Sequence, residues 1–118
     1  MIERIGDRAS FARFARARRQ RCGPIGLRYV ARPAEVIGGV AVGGVRVAYA
    51  INRKVGSAVV RNRIRRRLRE ALAELDRGPS PLERGDYLFS AERPAADLPF
   101  DELKAALRCV TRRAAGRG

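Results

Sequence analysis

The chain has 118 residues, 46% of them hydrophobic, which suits one domain with a real core and argues against global disorder. Its 26 Lys and Arg against 12 Asp and Glu leave a net charge of +14. The favoured partner is therefore a polyanion, nucleic acid before an anionic membrane surface. No apolar run reaches the roughly 18 residues that a membrane span needs, the N-terminus lacks the apolar core of a signal peptide, and no histidine is present to act as a general base or metal ligand.

In chain order, residues 1–21 are predicted to hold a short helix, with Asp7 or Ser10 in position to cap it. Phe11 and Phe14 fall on one face of that helix, among Arg13, Arg16, Arg18, Arg19 and Arg21. Two aromatics at this spacing serve either a core or, interleaved with arginines, a platform for stacked bases. Cys22-Gly23-Pro24 ends the helix. Leu27 to Arg32 reads as a strand, with Leu27, Tyr29 and Ala31 on one side and Arg28, Val30 and Arg32 on the other. Pro33 to Gly44 is a loop or an irregular hairpin with a short strand around Val40 to Val42. Val45 to Ile51 is a clearer strand, with Val45, Val47, Tyr49 and Ile51 on one face. A basic loop, Asn52 to Gly56, leads into a helix that ends near Leu75. After a linker at residues 77–84, Asp86 to Ala91 forms a strand with Tyr87 and Phe89 on one face. The last helix spans about Asp101 to Ala114, with Leu103, Ala106, Leu107 and Val110 inward, and Gly116 to Gly118 frays. Cys22 and Cys109 have no metal-ligand spacing and are expected as free thiols of a bacterial-type cytosolic protein, Cys109 packed near the inner face.

These elements give an α+β fold, a small mixed sheet with three helices in the order α-β-β-(β)-α-β-α, as one domain over residues 1–118. Its centre is the run Lys54 to Arg69. From Arg61 to Arg69 six of nine residues are arginine and none is acidic. Ile64, Leu68, Ala71, Leu72 and Leu75 recur at helical steps and share an arc of roughly 100°. Asn62, Arg63, Arg66 and Arg69 point away from it, Arg65 and Arg67 flank it, and Arg61 sits near its edge. A solvated helix face carries mixed signs, because like charges at i,i+4 repel. The ladders Arg61/Arg65/Arg69 and Arg63/Arg67 meet no acid before Glu70, so a polyanion is the partner that makes this helix sensible. Arginine outnumbers lysine 24 to 2, through genome composition or through its aptitude for phosphate forks and stacking.

The stretch Lys54-Val55-Gly56-Ser57-Ala58-Val59-Val60-Arg61-Asn62-Arg63-Ile64-Arg65-Arg66-Arg67-Leu68-Arg69 resembles the signature of the bacterial ribonuclease P protein component. The likeness extends to the basic N-terminal helix with its phenylalanine, the strand holding Tyr29, the Gly-Asp-Tyr strand start at 85–87, and the final helix entered through Phe100-Asp101-Glu102. Departures are Ala15 where the family often has a second aromatic, Asn52-Arg53 for Ser-Lys, Ser57 for Asn, and Pro99 at the usual capping position. The resemblance implies a left-handed β-α-β crossover and the non-catalytic protein subunit of a ribonucleoprotein endonuclease, a cytoplasmic hydrolase of tRNA processing. Its partners would be a large catalytic RNA and precursor tRNA, whose 5′ leader is removed, with no membrane and no small-molecule substrate. Arg61, Asn62, Arg63, Arg65, Arg66 and Arg69 match the family's RNA-facing helix, and Arg53 and Lys54 its basic loop. Phe11 and Tyr29 match aromatics of a leader cleft, which Phe14 and Arg13 would border.

No protein-borne nuclease centre is expected, and no metal site. Phosphodiester hydrolysis needs a base, an acid or carboxylates holding metal; Asp86 and Glu92 sit on one strand face but roughly 20 Å apart, and Glu3 and Asp7 more plausibly offset arginines. Catalysis and Mg²⁺ then belong mainly to the RNA. Asn62 either hydrogen-bonds RNA or orients Arg61 and Arg65. Rival readings are a ribosomal-type structural RNA-binding protein, which needs neither the Lys-x-Gly loop nor an aromatic cleft, a DNA-binding module, which wants fewer arginines among varied base readers, and a self-sufficient nuclease, which lacks catalytic groups.

Overall fold

The long amphipathic run after Ser57 sets the architecture, because its apolar stripe needs a sheet to cover. The computed structural model describes residues 2–32, 35–38, 40–42 and 44–116. The strands are β1 (Ile2–Arg4), β2 (Arg19–Cys22), β3 (Ile25–Ala31), β4 (Glu35–Ile37), β5 (Val40–Val42), β6 (Val45–Ala50) and β7 (Gly85–Ala91). The helices are α1 (Arg8–Arg13), α2 (Ala58–Arg77) and α3 (Phe100–Ala114), with 3₁₀ turns at Phe14–Arg16, Arg53–Val55 and Arg93–Ala96. Five strands make one mixed sheet in the order β1-β6-β7-β3-β2, and β4 and β5 pair as a separate hairpin. β6 lies parallel to both β1 and β7, so α2 is the crossover of the predicted β-α-β unit; β3 runs antiparallel to β7 and β2.

α2 starts where the Ser57 hydroxyl accepts from the Val60 amide at 3.3 Å. Ile64, Leu68, Ala71, Leu72 and Leu75 are its buried residues, the five of the predicted arc. They join Leu103, Leu107 and Val110 of α3 in a core against Ile25, Leu27, Val45, Val47, Tyr87 and Phe89. The sheet's other face carries a smaller cluster of Ile5, Phe14 and Ala48, with Val30 and Leu88 against it. α3 has no side-chain cap at Pro99; Asp101 and Glu102 in its first turn offset the exposed amides instead.

The N-terminal region departs from the single helix expected there. α1 has six residues and is bracketed by β1 and β2. β2, Arg-Gln-Arg-Cys, is a polar edge strand, which period-two reading of apolar residues passes over. Cys22-Gly23-Pro24 is thus a hairpin turn and not a helix end: Gly23 takes φ +56°, and Pro24 the negative φ that follows it in a II′ turn. The short strand expected around Val40 to Val42 is β5, while positions 33, 34, 39 and 43 of that stretch lie outside the described residues, as do 117 and 118 of the expected fraying end.

The cysteines are also corrected. Cys22 and Cys109 are disulfide-bonded with Cα atoms 6.2 Å apart, and are not free thiols. Sequence separation of 87 hides the pairing, because it depends on β2, the unpredicted strand, lying against α3. Breaking this bond should remove about 2–4 kcal/mol of stability, because a long loop is freed in the unfolded chain. Thermal melts with and without dithiothreitol check this; an unmoved midpoint would show that the bond contributes nothing.

Candidate RNA interface

The outer face of α2 presents the arginines as the periodicity requires, but not all have the same task. Arg67 turns inward and donates to the backbone carbonyls of Ala95 and Leu98, tying α2 to the turn before α3. Arg63 pairs with Asp97 at 3.4 Å, both well exposed; such a pair contributes little to stability. Asn62 accepts from Arg65 at 3.0 Å, so in the free protein its side chain orients Arg65. Among the described residues, Arg61, Arg65, Arg66 and Arg69 have no carboxylate partner, and the Arg61 Nε is buried without an acceptor. Arg53 and Lys54 are exposed in the turn that precedes α2, which Asn52 shapes by accepting from the Lys54 amide at 3.0 Å.

Beside this face the sheet edge is notched. β1 pairs with β6 only through Val47, so the strand beyond it has no neighbour in β1. The groove there holds about 500 Å³ and is lined by Ile5, Phe11, Ala48, Tyr49, Arg65, Arg69 and Ala73, among others. Phe11 is 43% exposed and meets Phe14 edge-on at 6.3 Å. Tyr49 is half-buried, its ring stacked near Phe89 at 6.3 Å. Burial pushes the Tyr49 phenol above its usual pKa, against the pull of Arg69, so it stays neutral at physiological pH. One groove thus brings an exposed aromatic, a half-buried tyrosine and two arginines of α2 together, a combination suited to single-stranded nucleic acid.

Two of the expected cleft residues lie elsewhere. Phe14 is 2% exposed and is a core residue of the smaller cluster. Tyr29 faces the α2–α3 side of the sheet, where its ring contacts Tyr87 at 4.8 Å and its hydroxyl donates to the Arg84 carbonyl. Alternation put Tyr29 on the side of Leu27, correctly; the unread fact is that α1 packs on the opposite face, over Val30 and Ala48. Arg13 is half-exposed on α1 and donates to the Ser10 hydroxyl at 2.9 Å. Tyr49 was missed because it continues the apolar alternation of β6; its position three residues before the basic loop was the available signal.

The sheet face that carries α1 continues into a second groove, also about 500 Å³, lined by Arg19, Arg28, Asn52, Lys54, Leu88, Ser90 and Arg93, among others. Gly26 leaves space for Arg19 to lie across the strands: a Cβ there would stand 3.0 Å from Arg19 Nη2 and closer still to Ser90 Oγ. Arg28 donates to the Phe14 carbonyl at 3.1 Å. Among the described residues no group of three carboxylates or thiols is placed to hold a metal ion; Asp86 is fully buried against Arg46, Glu92 is paired with Arg21 and Asp7 caps α1.

The family model for ribonuclease P matches residues 2–115. A ribonuclease P protein component of Bacillus velezensis is 38% identical over 68 residues, covering 58% of this chain and 56% of that protein. One from Bacillus pumilus is 36% identical over 70 residues, covering 59% and 57%. The chain thus aligns with a little over half the length of these relatives. In fold it is similar to the ribonuclease P protein of Staphylococcus aureus, with a TM-score of 0.71 and 21% identity over 94% of each chain. The Thermotoga maritima protein gives 0.70 and 16%, covering 94% and 96%. Matched to the family model from its first strand to the end of its last helix, the chain belongs to the ribonuclease P protein family.

Proposed function

We propose that this chain is the protein subunit of a cytoplasmic ribonuclease P and assists endonucleolytic removal of the 5′ leader from precursor tRNA. The observation that carries the reading is the meeting of α2's unpaired arginines with the aromatic groove at the sheet edge. Arg61, Arg66 and Arg69, with Arg53 and Lys54, neutralise phosphates of the catalytic RNA and release its counterions. Phe11 and Tyr49 stack leader bases while Arg65 and Arg69 hold the adjoining phosphates. Stacking tolerates any base, which suits leaders that differ between tRNAs. The RNA partner carries the catalysis and binds Mg²⁺, and the protein contributes binding energy and position.

Each stacked base is worth about 1–3 kcal/mol. Tyr49→Ala is therefore expected to weaken binding of leader-bearing precursor by roughly tenfold and to leave mature tRNA unaffected. Equal losses for both substrates would remove the leader from this groove.

A further inference from the structure

Phe11 belongs to a helix too short to hold its own orientation. A segment of six residues is far below the length at which an isolated helix persists, so contacts outside α1 decide where Phe11 points. One contact is Phe14, whose ring is buried in the smaller cluster. The other is polar. Asp86 of β7 is 0% exposed, and Arg46 of β6 grips it with two hydrogen bonds, Nε to Oδ1 and Nη2 to Oδ2, both 2.8 Å. The same Nη2 donates at 2.7 Å to the hydroxyl of Ser10, itself 1% exposed. Asp7 closes the set: it accepts from the Ser10 amide and hydroxyl, and Arg46 Nη1 lies 3.4 Å from it. Arg13 and Arg32 stand 3.8 and 3.6 Å from the Asp86 oxygens. Ser10 directly precedes Phe11, and neighbouring helical residues are about 100° apart around the axis. Holding the Ser10 side chain against the sheet therefore sets the direction of Phe11.

We propose that Arg46, fixed by buried Asp86, is a positioning residue for the leader: it clamps Ser10 and thereby aims Phe11 into the groove that Tyr49, Arg65 and Arg69 line. The inference rests on the functional reading above and adds that the groove's aromatic wall is set by a partly buried ion pair between β6 and β7. A bidentate guanidinium does this better than an ammonium, because its fork fixes direction as well as distance.

The test uses the protein reconstituted with a bacterial ribonuclease P RNA, and reads the ratio of affinities for leader-bearing precursor and mature tRNA. Phe11→Ala is expected to lower that ratio roughly tenfold. Ser10→Ala, which removes the gripped hydroxyl but keeps the Arg46–Asp86 pair, and Arg46→Gln should each lower it roughly three- to tenfold, with affinity for the catalytic RNA unchanged. On the Phe11→Ala background neither should lower it further, because residues acting through one group are not additive. Ser10→Ala decides the matter if Arg46→Gln fails to fold. An unchanged ratio in Ser10→Ala, a parallel loss of catalytic-RNA affinity, or additive losses with Phe11→Ala would overturn the clamp. An unchanged ratio in Phe11→Ala itself would instead overturn the leader reading of the groove.

Discussion

Alanine at Arg61, Arg66 and Arg69 together should weaken binding to the catalytic RNA by roughly one hundredfold at physiological salt and flatten its log–log salt dependence by about 2–3. These three share the property that decides the size of the effect: among the described residues no carboxylate partners them. Their charge is available to phosphates at no cost in broken ion pairs. Each lost phosphate contact removes about 0.7–0.9 from the slope, so the three must act nearly additively if they touch separate phosphates. Arg67→Ala is the internal control. Its guanidinium serves the Ala95 and Leu98 carbonyls, so its loss should lower thermal stability and leave the salt slope alone. Filter-binding titrations across a salt series measure both. A triple variant with an unchanged slope would show that this face does not lie against RNA.

Leu68→Ala should cost about 2–5 kcal/mol of folding stability. Leu68 is fully buried midway along α2, between Ile64 and Leu72, against the sheet and α3. Truncation removes apolar burial and leaves a cavity that the surrounding strands cannot close. For a domain of this size the melting midpoint should fall by roughly 10 °C or more. The arginine ladder repels itself along the opposite face of the same helix, so Leu68 and its neighbours also offset that repulsion. A denaturant titration giving less than about 1 kcal/mol would mean that α2 is not anchored as described.

The sequence made the centre of this protein legible because local rules and tertiary packing agree there. α2 has an unbroken helical period, a serine cap and a one-sided charge, and the five apolar positions of its stripe, Ile64 to Leu75, are buried. β6, β7 and α3 follow for the same reason: their apolar spacing matches the face they bury. What failed was set by long-range geometry. β1 and β2 are short and polar, and gain their identity only by pairing with β6 and β3. Which side of the sheet α1 covers determines that Phe14 is core and that Tyr29 is remote from it, while Tyr49, on the same face as Tyr29, borders the groove because β6 runs on past the short edge strand β1; nothing local encodes either fact. The Cys22–Cys109 bond and the Arg46–Asp86 pair join residues far apart in sequence, and neither has a local signature.

The proposed function requires that an RNA enzyme cover the arginine surface of α2 and that the leader lie beside it. Cleavage of 5′ leader from precursor tRNA at low Mg²⁺, by ribonuclease P RNA alone and by the RNA with this protein, tests it most directly. The protein should restore cleavage under conditions in which the RNA alone is slow, and should cleave nothing without the RNA. No gain on adding the protein, or cleavage by the protein alone, would contradict it.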